Sequence, residues 1–271
     1  MSSALVGLIP LLLISIAIGL LGKLSTPNTL LLNLFLPNLL LCVILAAVVL
    51  RRPELGRLKI ALALYLIAQA GSIALISGLR SSLSSTELIA LEILGKALVM
   101  GLPAFFLWRS AVDEDRSFHG PGFFGASALL LGFLPIFFIA ALVSLAFKFI
   151  GIESQSNTQE IVELLERDRI ALAILPFCVA VLAPIYEEFF FRYLIFGTLR
   201  KHVDFPVAAV TSAMIFGLAH GLPLLIPVTG LLGVVMAWVY ERTRSIWGPV
   251  IFHVCWNGVN LLLARSLHDL S

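Results

Sequence analysis

Charge is what this sequence is short of. Only 13% of its 271 residues are Asp, Glu, Lys or Arg, while 60% are hydrophobic and the mean hydropathy is +1.04. Soluble domains carry about a quarter charged residues, so a water-soluble globule is excluded and the chain falls in the membrane class. A net charge of +2, with no basic tract interleaved with aromatics, excludes a nucleic-acid partner. Cysteine is scarce too. Cys42, Cys178 and Cys255 are odd in number, far apart and each inside an apolar run, which argues against a disulfide framework or a thiolate zinc site and for buried thiols. No Lys or Arg precedes the first apolar stretch, so that stretch reads as a retained span and not as a cleaved signal peptide. His-Glu-x-x-His and Gly-x-Ser-x-Gly are both absent, and no aspartate falls within a span. Hydrolytic chemistries built on those features have no support.

What is present is a series of apolar runs near the roughly 17–25 residues that a membrane-crossing helix needs. They cover 4–21, 29–50, 60–79, 88–108 and 123–147, then 170–199, 205–220, 227–240 and 246–264. The fold class is therefore all-α, a polytopic membrane helical bundle with eight or nine transmembrane segments. The run 170–199 is too long for one perpendicular crossing and contains Pro176 and Pro184, which predicts a tilted or broken helix. The polar stretch 151–169 carries Ile161, Leu164 and Leu165 at helical spacing, the pattern of an amphipathic helix lying on the membrane surface. It divides the chain into N-terminal helices over 1–150, a linker over 151–169, a core over 170–264 and a tail over 265–271. Both a two-part arrangement and one compact bundle satisfy the pattern. The basic loops 51–59, 109–116, 200–201 and 242–244 favour a cytoplasmic N-terminus by a small margin. Short loops fit a bacterial plasma membrane.

Ionisable groups inside a bilayer cost a few kcal/mol each, on the order of 3 by insertion scales, and so call for a reason. Glu92 and Lys96 sit four apart in one span with the acid first, the order of a self-neutralising pair. A denser cluster is Glu187-Glu188-Phe-Phe-Phe-Arg192. At roughly 100° per residue, Glu188 and Arg192 share a helix face, whereas Glu187 lies roughly 140° from Arg192 and is left without that partner. An intramembrane carboxylate lacking a counter-charge suits a general base. Pro184 just upstream suggests that these acids lie near a helix N-terminus. Further on, Phe216-Gly-Leu-Ala-His220 places a histidine one turn after a phenylalanine, beside a small-residue face of Ala213, Gly217 and Gly221. His253-Val-Cys-Trp-Asn257 points a histidine and an asparagine at one neighbour. Three spans thus each offer polar groups at helical spacing, a convergence that packing alone does not explain.

These three segments, in this order over about 70 residues, resemble the CAAX prenyl protease and bacteriocin-processing (abortive-infection-like) family of intramembrane proteases, marked by Glu-Glu-x-x-x-Arg, Phe-x-x-x-His and His-x-x-x-Asn. The stretch 244–253 also resembles the family's approach to its third motif. Tyr193 departs from it, since many members have glycine after the motif arginine. The resemblance covers about 170–264 and implies proteolysis by an activated water. Glu187 would be the general base, with His220 holding and polarising the water. His253 and Asn257 would donate to the oxyanion, and Glu188, Arg192 and Phe216 would position the others. The implied partners are the lipid bilayer and a peptide or protein substrate, prenylated in the branch that trims prenylated C-terminal tripeptides.

No cofactor is required by this chemistry. A divalent metal such as zinc on Glu187, His220 and His253 is the alternative, because those are acceptable ligand types. The non-enzymatic alternative is a membrane scaffold or a transporter using the same polar core, the interrupted run 170–199 resembling the broken helices of transporters.

Overall fold

In 56–79 the residues Leu58, Ala61, Tyr65, Ala68 and Ser72 recur at three- and four-residue intervals and are buried, while Ile60, Leu66 and Ile67 on the other side are exposed. A helix with an apolar outer face is what a bilayer requires. This helix, α1 (Gly56–Leu79), opens the computed structural model, which describes residue 46 and residues 50–79, 81–110, 123–151, 157–220 and 225–268. The expected span 4–21, the span 29–50 apart from residues 46 and 50, Gly221 and part of the tail lie outside the described residues. All elements that follow are helical: α2 (Ser85–Ser110), α3 (Phe123–Phe149), α4 (Asn157–Arg167), α5 (Arg169–Arg200), α6 (Phe205–Ala219), α7 (Leu225–Thr243) and α8 (Trp247–His268). There is no strand among the described residues. Among the described residues three helices, α2, α5 and α7, are long and apolar enough to cross a membrane.

One apolar core joins both halves of the chain. Leu58, Tyr65, Met100 and Ala104 from α1 and α2, and Ile136 from α3, pack with Phe189, Phe190, Leu194, Phe216, Leu232 and Phe252 from α5 to α8. Edge-to-face contacts of Phe105 and Trp108 with Phe189 fasten α2 to α5, each with ring centres within 5.4 Å. Tyr193, the departure from the family pattern, donates to the Leu107 carbonyl at 2.9 Å and accepts from Arg57 at 3.4 Å, so it ties α1 and α2 to the motif helix.

Two expectations are corrected. The amphipathic segment is helix α4, but it does not spend its apolar face on the membrane. Ile161, Val162 and Leu165 are buried against Ala171 and Leu175 of α5 and Leu261 of α8, with Leu164 partly covered. Amphipathic spacing shows which face is apolar and not what covers it. Of the two outcomes expected for 170–199, tilted or broken, the break is the one overturned: α5 is continuous over 32 residues. Pro176 lies within a regular stretch, and Pro184 is absorbed by a wider turn. Ala183 N–H reaches five residues back to the Cys178 carbonyl immediately before Pro184, and in α2 Leu102 N–H does the same to Ala97 immediately before Pro103. Such π-helical turns bridge the place where proline has no N–H to give. With α5 unbroken, the feature that suggested a transporter is gone.

Start signals are local. Ser84 and Glu87 form a reciprocal capping box at α2, and Asp168 caps α5 by accepting from Ile170 N–H at 2.8 Å. Thr86 at the foot of α2 donates to the same Asp168 at 2.8 Å, and that hydroxyl, followed by the Ile170 N–H, holds the Asp168 carboxyl below its usual range.

The small-residue face of α6 is used against α7. A Cβ on Gly217 would lie 2.6 Å from the Ile226 carbonyl and 3.2 Å from the Gly230 backbone, and one on Gly233 would lie 3.0 Å from Ala213. Gly217→Ala therefore trades a gain in helix propensity for backbone overlap, and the overlap prevails. The expected loss is about 1–3 kcal/mol, read as a lower unfolding midpoint in detergent. A variant as stable as wild type would show that α6 and α7 are not in backbone contact.

Candidate active site

The polar residues of α5, α6 and α8 meet around one aromatic ring. Neighbouring residues on a helix point roughly 100° apart, so the two adjacent acids enter different surroundings. Glu188 is fully buried. Its Oε2 lies 2.9 Å from Arg192 Nε, also fully buried, and its Oε1 lies 2.9 Å from His253 Nδ1. A carboxylate accepts, so the hydrogen sits on His253 Nδ1 and Nε2 turns to the other acid, 3.8 Å from Glu187 Oε2. Glu187 keeps 15% of its side chain exposed and accepts from the Tyr186 hydroxyl at 3.3 Å. No Lys or Arg pairs with Glu187 among the described residues.

Phe216 is the wall these groups share. The Arg192 guanidinium lies over its ring at 4.5 Å, a cation–π contact of about 2 kcal/mol in a desolvated setting. His253 and His220 meet its ring edge-to-face at 5.8 and 4.8 Å. His220, which caps the C-terminus of α6, has Nδ1 2.8 Å from the Phe216 carbonyl. A carbonyl only accepts, so Nδ1 donates there and Nε2 keeps the lone pair.

Asn257 lies one turn beyond His253 on α8, and its Nδ2 donates to the Val179 carbonyl at 2.9 Å. The wide turn of α5 explains why that carbonyl is available. Ala183 N–H is committed to Cys178, and the next residue, Pro184, has no N–H. One amide hydrogen of Asn257 replaces the missing donor and the other stays free. Ser212 of α6 likewise donates to the Phe191 carbonyl in the second wide segment, Glu188–Phe196, at 3.3 Å.

Glu187, Glu188, Arg192, Phe216 and His253 are thus in direct contact, His220 joins through Phe216, and Asn257 stands one turn away. Glu187 and His253 approach each other, but among the described residues no three His, Cys, Asp or Glu side chains converge as a metal-ligand set. The alternative metal set of Glu187, His220 and His253 is not assembled in this arrangement, and no step is derived through a metal. Tyr186 was not singled out in the sequence, although a tyrosine in an apolar run always needs a hydrogen-bond partner and the next residue supplies one.

Residues 169–259, the stretch that holds all three motifs, match the family profile described as type II CAAX prenyl endopeptidase Rce1-like. The chain is 36% identical over 109 residues to "Putative membrane peptidase YdiL" of Bacillus subtilis (strain 168), covering 40% of this chain and 42% of that protein. It is 31% identical over 137 residues to "Membrane-embedded CAAX protease MroQ" of Staphylococcus aureus (strain USA300), covering 48% and 54%. The aligned region spans about half the length of these curated relatives. No solved structure matches the chain.

Removing one partner of a buried ion pair leaves the other charge uncompensated. Arg192→Met should cost about 3–5 kcal/mol, seen as a collapse of the unfolding midpoint in detergent. A midpoint within a few degrees of wild type would mean that Glu188 and Arg192 are not paired in the folded protein.

Proposed function

We propose that this integral membrane protein, whose residues 169–259 form an Rce1-like domain, is a peptidase that hydrolyses a membrane-associated peptide with an activated water. One observation carries the reading. Glu188 is consumed by Arg192 and His253, while the adjacent Glu187 faces His253 Nε2 and the Tyr186 hydroxyl with no Lys or Arg among the described residues to neutralise it. Of the two acids, Glu187 is the one free to accept a proton.

Glu187 takes a proton from water, whose oxygen attacks the scissile carbonyl carbon. His220, with its Nε2 lone pair free, orients that water. The oxyanion accepts from the second Nδ2–H of Asn257 and from His253 Nε2–H when that nitrogen is protonated, a role in which one donor is worth about 3 kcal/mol. Collapse of the tetrahedral intermediate breaks the C–N bond, and Glu187 returns the proton to the departing nitrogen. Glu188, Arg192 and Phe216 position the histidines. A prenylated CAAX-type peptide is the first substrate to try, since one named relative is a CAAX protease. The same reading takes the whole chain as crossing the membrane eight or nine times, in a bacterial plasma membrane, the named relatives being membrane proteins of bacteria by name.

The test is cleavage of a fluorogenic farnesylated CAAX peptide by the purified full-length protein. Wild type should cleave. Glu187→Gln should lose at least about 10³-fold in kcat, remain folded, and chelator should leave the wild type unaffected. Loss of cleavage to chelator with recovery on zinc would replace this mechanism by the metal alternative. A Glu187→Gln protein as active as wild type would refute Glu187 as the base, and absence of any peptide cleavage would favour the scaffold.

A further inference from the structure

Charge is divided unevenly between the two ends of the bundle. Helices α2 and α5 run parallel: Thr86 meets Asp168 where they start, Gly101 lies against Tyr186 with no room for a Cβ, and Leu107 meets Tyr193 near their C-termini. The start of α1 joins this second end, because Arg57 reaches the Tyr193 hydroxyl. The end of α7 joins it through the ion pair of Arg200 with Glu241 at 3.2 Å, and α8 starts a few residues further on. Connections remote in sequence therefore share one face: 51–59, Arg109, 200–204 and 241–244. They hold nine Lys and Arg against three acids, Glu54, Asp204 and Glu241, in a chain whose net charge is +2. By sequence, the connection 111–122 adds Asp113, Glu114, Asp115 and Arg116 and leaves the excess in place.

The opposite end, where α2 and α5 start, α3 runs into α4 and α8 finishes, is balanced. Glu87, Lys148, the stretch 163–169 and Arg265 give it four acids and four cations among the described side chains. Glu92 and Lys96 neutralise each other between the two ends, with Nζ 2.7 Å from Oε1. The cationic face also has the surroundings of a headgroup layer. It stands at the rim of an apolar outer surface, on which Ile60 and Ile67 of α1, Phe106 of α2 and Val207 of α6 are 43–57% exposed. Three of the four tryptophans, Trp108, Trp238 and Trp247, lie towards this end, and the Arg242 guanidinium is 5.8 Å from the Trp238 ring centre. Tryptophan collects where lipid tails give way to headgroups. Six of the cations, Arg51, Arg52, Arg109, Lys201, Arg242 and Arg244, are exposed and spread over all four connections. Such a spread fits a plane of negative charge better than the compact acidic patch of a protein partner.

We propose that this face is a docking surface for anionic phospholipid headgroups, which places it at the cytoplasmic leaflet, where such lipids give the membrane its negative surface potential. Headgroup phosphates supply the counter-charge that three acids do not. The guanidinium and ammonium groups donate to phosphate oxygens while their stems lie along the apolar rim. The surface is independent of the peptidase reading, since no residue gathered around Phe216 takes part in it.

The test reads lipid contact directly. Full-length protein is reconstituted in phosphatidylcholine vesicles with a rising fraction of lipid brominated in its acyl chains, either phosphatidylglycerol or phosphatidylcholine itself. Bromine quenches tryptophan fluorescence on contact, so the two series give the relative affinity of the two headgroups for the protein. Phosphatidylglycerol should bind about fivefold more tightly, the scale of one cation at an anionic surface. Arg52→Gln, Lys201→Gln and Arg242→Gln combined, all at exposed positions, should bring the ratio close to one. So should about 1 M salt, which screens charges beyond roughly 3 Å. Arg167→Gln with Arg169→Gln, at the balanced end, should leave the preference unchanged. If the triple variant does not fold, the salt series and Lys201→Gln alone, which should lower the ratio, decide the matter. A preference that survives the triple variant or high salt, or one lost equally from the balanced end, overturns the proposal. A wild-type ratio near one overturns it too, and salt-dependent binding of an acidic peptide in its place would give the face to a protein partner.

Discussion

A fully buried carboxylate and a fully buried guanidinium, Glu188 and Arg192, lie 2.9 Å apart inside a chain that is 60% hydrophobic, and the rest of the site is arranged around that pair. Desolvating two charges costs several kcal/mol per ion, and only close geometry with further polar contacts offsets it. Arg192 Nε sits near Glu188 Oε2 but off the hydrogen-bond direction, and its terminal nitrogens find no acceptor among the described residues, so the contact is ionic in character. The remaining compensation comes from the Phe216 face over the guanidinium and from His253 Nδ1 on the second carboxylate oxygen. Those two contacts also set the orientation of His253 and, through Phe216, the place of His220. The same requirement that makes the pair tolerable in a membrane therefore builds the constellation beside Glu187.

The second constraint is the backbone. In a bilayer every carbonyl and N–H needs a protein partner, and proline removes a donor. Pro103 of α2 and Pro184 of α5 are each preceded by a turn whose N–H reaches five residues back, and in α5 that shift leaves Val179 to be served by a side chain of α8. A local defect in one helix thereby helps to fix the register of another against it. Residues 50–149 contribute the outer support through Tyr65, Met100, Phe105 and Trp108.

Much of this was legible in the sequence, and the limits are physical. The face shared by Glu188 and Arg192 follows from helical spacing, and the family resemblance carried by the three motifs is borne out by the match over 169–259. The pairing of Glu92 with Lys96 was equally direct, because both partners lie on one helix. What spacing does not contain is the identity of the surface opposite. Ile161 and Leu165 read the same whether lipid or α8 covers them, and Pro184 reads the same whether the helix breaks or widens. Contacts between distant segments, such as Gly101 on Tyr186 or Asn257 on Val179, have no signature within either segment alone.

The central claim is that two adjacent glutamates have been separated into one that holds the fold and one left for chemistry. The most direct test is to unfold Glu187→Gln and Glu188→Gln side by side in the same detergent. The account predicts that Glu187→Gln keeps the wild-type midpoint while Glu188→Gln, with Arg192 unpaired, loses several kcal/mol, on the order of 3–5. Equal midpoints, or a larger loss in Glu187→Gln, would contradict it.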